Sequence, residues 1–140
     1  MTHTVDASLW VVALQPTEPL HKDAPRYFRA ISTANIAVIV PNIALLETAC
    51  AVARRTQNAH LGIEASRFIH ALHPHIVHVT MDLAEEATVL GCEAFLRAAD
   101  AVYLAVALRT ASRLVTADRE MAQRGAPFVD TIFLPQAVVD

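Results

Sequence analysis

LRAADAVYLAVALRTASRLVTAD, residues 96–118, changes its pattern once. Its first half runs from Ala101 to Leu108 without a polar residue except the Tyr103 hydroxyl, and reads as a helix buried on most sides. Its second half, SRLVTAD, reads as a short strand that ends on an acid, Asp118. Asp100 breaks the apolar run. An ionised carboxylate in such a setting costs several kcal/mol or more unless it is capped, paired or bound to metal.

The same alternation extends outward in both directions. Strand-like runs lie at HTVDA (3–7), IAVIVP (36–41), HIVHVT (75–80), SRLVTAD (112–118) and FVDTIFL (128–134). Helical patterns fall between them, near 8–14, 19–33, 42–57, 59–73, 82–97, 100–112 and 119–124. Strands separated by helices of this length predict right-handed crossovers and a mainly parallel sheet covered on both faces. Three glycines in 140 residues, with no Ser/Gly/Pro-rich linker, predict one α/β domain spanning 1–140.

Composition narrows the classes. The chain is 54% hydrophobic, yet no apolar run approaches the roughly 20 residues of a membrane helix. The opening MTHTVDASLW has no basic n-region, so a cytoplasmic location is expected and membrane attachment is not. Cys50 and Cys92 are far apart, belong to no CxxC pair, and are expected to be small buried hydrophobes. The net charge of −3 gives no general basic field, and ten of the eleven cations are Arg, with Lys22 the exception. Arg54, Arg55, Arg97, Arg109 and Arg119 are the available phosphate contacts, to be built on guanidinium forks.

Helix starts are marked by polar residues. Asn42 is expected to cap the helix of IALLETACAVARR, and Asp82 with Glu85 to make a capping-box-like start. Ser8 or Asp6 would cap the first helix, and Asp118 the short REMAQRG helix ended by Gly125. Asp6, Asp100 and Asp118 can each be explained as caps. Glu47, which shares a helical face with Ile43, Cys50 and Arg54, can be explained as a rim residue. Capping does not explain the joint pattern, because Asp6 and Asp118 end strands, Asp100 opens a helix, and Glu47 lies one turn past a strand. In an open α/β sheet these places meet at the carboxyl ends of the strands, where ligands gather. Crowded carboxylates repel unless a cation neutralises them, and hard oxygen donors suit Mg²⁺ or Mn²⁺. Such an ion can assist phosphodiester hydrolysis.

At these residues the chain becomes recognisable. VDAS (5–8), PNIALLETACAVARR (41–55), LRAADAVYLAVAL (96–108) and LVTADREMA (114–122) resemble, in order and spacing, the four motifs of PIN-domain nucleases. A domain of this length is most similar to the VapC-type toxins of toxin–antitoxin pairs. The resemblance implies a three-layer α/β/α fold and an Mg²⁺- or Mn²⁺-dependent ribonuclease. It implies Asp6, Glu47, Asp100 and Asp118 as the acidic quartet, with Asp6, Asp100 and Asp118 holding the ion and Glu47 serving the attacking water. Ser8 and Thr116 match the family's supporting hydroxyls. Expected partners are an RNA substrate, a cognate antitoxin that places a cation near Asp6 and Asp100, and a second copy of the chain. The dimer is expected through HLGIEASRFIHAL (60–72) and PLHKDAPRYFRAI (19–31), whose apolar residues follow helical spacing.

The other α/β readings lack their residues. A phosphoryl-accepting receiver needs adjacent acids after the first strand and a late Lys, but Lys22 is early; a dehalogenase-type phosphatase needs an acid where Ser8 stands. A dinucleotide fold needs GxGxxG, which is absent. The alternative outside catalysis is a PIN-like module that only binds RNA or protein. His70, His73, His75 and His78 fit no zinc spacing and are expected on a surface turn.

Overall fold

The computed structural model describes residues 1–19 and 21–136. Leu20, within the second of the two segments expected at a dimer interface, and the last four positions of the 1–140 domain lie outside the described residues. Five strands, β1 (Thr2–Val5), β2 (Ala37–Pro41), β3 (His75–Val77), β4 (Arg113–Thr116) and β5 (Thr131–Phe133), pair in the order β3-β2-β1-β4-β5. Every pairing is parallel, so each connection must cross the sheet rather than turn back on itself. The helices that make those crossings are α1 (Ala7–Leu14), α2 (Asp23–Thr33), α3 (Ile43–Thr56), α4 (Ala59–Ala71), α5 (Met81–Ala94), α6 (Ala98–Arg109) and α7 (Arg119–Gly125).

The strand order places a switch at the centre. From β1 the chain steps outward to β2 and β3, then returns through α5 and α6 to β4 on β1's other side. The carboxyl ends of β1 and β4 are therefore neighbours, with loops departing from a common crevice.

Both sheet faces are covered. Ile39 packs with Leu83, Ala87, Ala101 and Ala105 of α5 and α6, whereas its neighbour Val40 packs into the cluster of Leu9, Trp10, Ala24 and Tyr27. Adjacent strand residues point to opposite faces, so the two clusters lie on opposite sides of the sheet. α6 is the buried helix its sequence predicts: Ala101, Tyr103, Leu104, Ala105, Val106 and Ala107 are all buried. Among the described residues no helix is long and apolar enough to cross a membrane.

Several local expectations are corrected. Asn42 does not cap α3 with its side chain; its Oδ1 instead accepts from Val79 N at 3.3 Å, tying α3's start to the chain beyond β3. Thr80, not Asp82, caps α5, with its hydroxyl accepting from Leu83 N at 3.2 Å. Cys50 and Cys92 are exposed rather than buried, because each falls on the outer face of its helix. The four histidines between 70 and 78 are exposed, as expected of a surface turn.

α3 and α4 approach closely at Gly62. A Cβ there would lie 2.5 Å from the Ala49 carbonyl oxygen and 2.8 Å from the Ala53 Cβ. The contact fixes α3, and with it Glu47.

Candidate active site

β1 ends at Val5 and α1 begins at Ala7, so Asp6 occupies the turn at the central carboxyl end. Its Oδ1 accepts from Ser8 N at 2.7 Å, which caps α1. Its Oδ2 accepts from Ser8 Oγ at 3.0 Å and from the Thr116 hydroxyl. The two hydroxyls accept in turn: Ala117 N donates to Ser8 Oγ and Asp118 N to Thr116 Oγ1, both at 3.0 Å. Ser8 and Thr116 thus stitch the end of β1 to the end of β4. Three donors leave Asp6 one ready lone pair, on Oδ1.

Asp118 also caps a helix, α7, through Oδ1 to Met121 N at 3.2 Å. Asp100 does not. It lies in the first turn of α6, whose N-cap is Arg97 without a side-chain capping bond. Arg97 instead donates from Nε to Asp100 Oδ2 at 3.2 Å and from Nη2 to Asp118 Oδ2 at 3.3 Å. This guanidinium is the partner that the Asp100 carboxylate requires.

Glu47 comes to the site from α3 and lies alongside Tyr103 of α6. Neither the buried Glu47 Oε1 nor the buried Tyr103 hydroxyl completes a hydrogen bond of good geometry.

The acids sense one another electrostatically. Burial pushes the Asp6 carboxyl up to about 6, against its hydrogen bonds from Thr116 and Ser8, and the Asp100 charge adds to the rise. Burial likewise raises Glu47, with Asp100 adding to the effect and Tyr103 and Arg97 opposing it. Asp100 is raised by burial and by Asp118, with Arg97 pulling it down. The Tyr103 phenol is pushed well up by burial, then by Asp6 and Glu47. Asp100 is the hub of this set.

Among the described residues, no three His, Cys, Asp or Glu side chains stand close enough to share a metal ion as they are placed. The donor set fits a divalent cation in kind. All the donors are hard oxygens, one buried carboxylate oxygen has no partner, and the single guanidinium cannot balance four acids.

The model of one protein family, described as the PIN domain, matches residues 4–127. The chain belongs to the PIN-domain family. Its structure is similar to that of VapC20 of Mycobacterium tuberculosis, a Sarcin-Ricin loop cleaving toxin, with a TM-score of 0.73 at 23% identity over 91% of this chain and 97% of the other. VapBC2 of Rickettsia felis, solved bound to a promoter DNA fragment, gives a TM-score of 0.71 at 14% identity over 95% and 98%. A toxin–antitoxin complex of Klebsiella pneumoniae gives 0.63 at 22% identity over 91% and 94%. At these identities the likeness is one of fold. No curated protein matches the chain in sequence at a significant level.

In this PIN domain the structure brings Asp6, Asp100 and Asp118 to the β1/β4 crevice, with Glu47 entering from the side. Ser8 and Thr116 both donate to Asp6 Oδ2. Two neighbours of the site are not expected from sequence. Arg97 reads only as a phosphate contact, although its spacing of three from Asp100 on a helix start is the spacing of an ion pair. Tyr103, a further three residues along that face, carried no signal separable from the apolar run. Of the other arginines, Arg109 makes a two-point pair with Glu86 and Arg119 lies over the Phe133 ring at 5.2 Å.

Proposed function

We propose that this PIN domain is a metal-dependent ribonuclease, the toxin of a VapBC-type pair. The observation that carries the reading is the convergence of Asp6, Asp100 and Asp118 on one crevice at the sheet's switch point, with Glu47 beside them. Asp100 and Asp118 would hold Mg²⁺ or Mn²⁺, with Asp6 contributing through Oδ1 or through water. The bound ion would polarise a phosphoryl oxygen and acidify water. Glu47, with its raised proton affinity and unpartnered oxygen, is suited to accept a proton from the attacking water. Ser8 and Thr116 hold Asp6 in one orientation.

The test combines chelation with Asp100→Asn. Cleavage of RNA by the purified protein should vanish in excess EDTA. Since Asp100 is not a cap, Asp100→Asn should melt close to wild type in EDTA but lose most of the stabilisation by Mg²⁺. For wild type that gain is roughly 1.4 kcal/mol at ten times the dissociation constant, or a few degrees. Activity that survives EDTA, or equal Mg²⁺ shifts in the two proteins, would leave a module that binds without cutting.

Two protein partners are part of this reading. Two of the similar structures are toxin–antitoxin complexes by name, which supports a cognate antitoxin here. A homodimer is proposed through the face of α4 that carries Leu61 and Phe68, both about half exposed, and that continues to Leu72 just past its end. α2 spends its described apolar face, Ala24, Tyr27 and Ile31, on the core. Light scattering at micromolar concentration, without antitoxin, should give twice the monomer mass, and Leu61→Glu should halve it. A monomeric wild type would refute the dimer.

A further inference from the structure

We propose that Arg97 is the resident counter-cation of the acidic crevice, displaced from Asp100 and Asp118 by a divalent ion and passed on to a phosphate of the RNA. The proposal rests on the nuclease reading and adds to it a residue with two successive partners.

Three features of Arg97 carry the inference. First, it joins carboxylates from two different elements, bonding Oδ2 of both Asp100 and Asp118 at 3.2 and 3.3 Å. The two oxygens therefore face a common point, and it is taken by one positive charge. Asp118 Oδ1 is committed to the α7 cap, so Oδ2 is the oxygen left for any ion. Arg97 and a metal compete for the same atom. Second, the charges do not balance. One guanidinium faces Asp100 and Asp118, with Asp6 adding its charge to the same field, so a doubly charged ion neutralises the pair better than Arg97 does. Third, Arg97 is free to leave. Its side chain is 77% exposed, whereas those of Asp100 and Asp118 are 16% and 29% exposed, and it makes no capping bond to α6. An exposed guanidinium is held weakly, and two of its five N–H donors meet the acids, which leaves the others for a further partner. Once released it stays anchored at the mouth of the crevice, where a planar fork suits a phosphate.

The two roles predict opposite effects from one substitution. Arg97→Gln should tighten Mn²⁺ binding, measured by calorimetry on the whole protein, by roughly three- to tenfold. In a Glu47→Gln background, where the RNA is not consumed, it should weaken binding of a single-stranded oligoribonucleotide at saturating Mn²⁺ by a similar factor. Arg97→Lys should restore part of both. Arg124→Gln is the control for charge alone, because Arg124 pairs with Glu120 and donates to the Phe95 carbonyl without touching the acids. Equal tightening by Arg124→Gln and Arg97→Gln would reduce the effect to the general field and overturn the proposal. Unchanged or weaker Mn²⁺ binding by Arg97→Gln would overturn it as well. If wild type binds no Mn²⁺ but Arg97→Gln does, the counter-cation stands in its strongest form. If neither binds, both the metal reading and this proposal fall. Tighter metal with unchanged RNA affinity would overturn the transfer to phosphate.

Discussion

Asp6→Asn is expected to cut RNA cleavage by roughly two to three orders of magnitude while making the metal-free protein more stable at neutral pH. The activity loss follows from removing charge at the centre of the crevice. The gain in stability follows from burial. The folded state raises the Asp6 carboxyl from 3.8 to about 6, so between those values it binds a proton more tightly than the unfolded chain does. Through this group acidification stabilises the fold; the benefit is complete below about 4 and is lost as pH rises through about 6. At neutral pH the ionised group carries the whole penalty, at most on the order of 3 kcal/mol. Asn keeps the acceptor for Ser8 N, and the Ser8 and Thr116 hydroxyls can turn to accept from its amide. In EDTA the melting difference between Asp6→Asn and wild type should be positive at neutral pH and shrink to nothing near pH 4. A difference independent of pH would show that Asp6 is not the titrating group. Asp6→Ala should fall below Asp6→Asn, since it loses the cap, worth about 1 kcal/mol.

Gly62→Val should be strongly damaging although it lies outside the crevice. Its Cβ would meet the Ala49 carbonyl oxygen at 2.5 Å, and backbone cannot swing aside as a long side chain can. Overpacking of this kind costs about 1–3 kcal/mol, and β-branching adds to it. Gly62→Ala meets the same oxygen but recovers close to 1 kcal/mol of helix propensity, so it should lose less. Because Ala49 lies two residues from Glu47, any protein that still folds should also show reduced turnover with unchanged Mn²⁺ binding. Denaturant unfolding and calorimetry on both variants check the pair of effects. Wild-type stability in Gly62→Val would mean that α3 and α4 are looser than their contact implies.

Much of this molecule was legible in its sequence because parallel α/β folds write their periods plainly. The run from Ala101 to Leu108 has the composition of a helix covered all round, and α6 is that helix. The acids were harder to read because capping and site membership are not exclusive. Asp6 and Asp118 cap their helices from within the crevice, since a strand's carboxyl end and a helix's start are the same place in this fold. Asp100 alone separates the two roles, and it is paired rather than capping. Asn42 departs from its expected capping role for a different reason: its side chain finds a long-range donor in Val79, which no local pattern announces. Cys50 shows the limit of residue-type averages, because the side of α3 that carries it faces outward while Thr48 and Val52 of the same stretch are buried.

The stitch between Asp6 and Thr116 closes a loop of 110 positions. A ribosome making this protein therefore releases Asp6 and Ser8 long before the strand that completes their surroundings. Until β4 has emerged and slotted beside β1, the early acid has no Thr116 to hold it and no Asp118 opposite. A chain that stops short of β4 therefore holds Asp6 and Ser8 without Thr116 and Asp118, and the crevice is assembled only when synthesis is nearly complete.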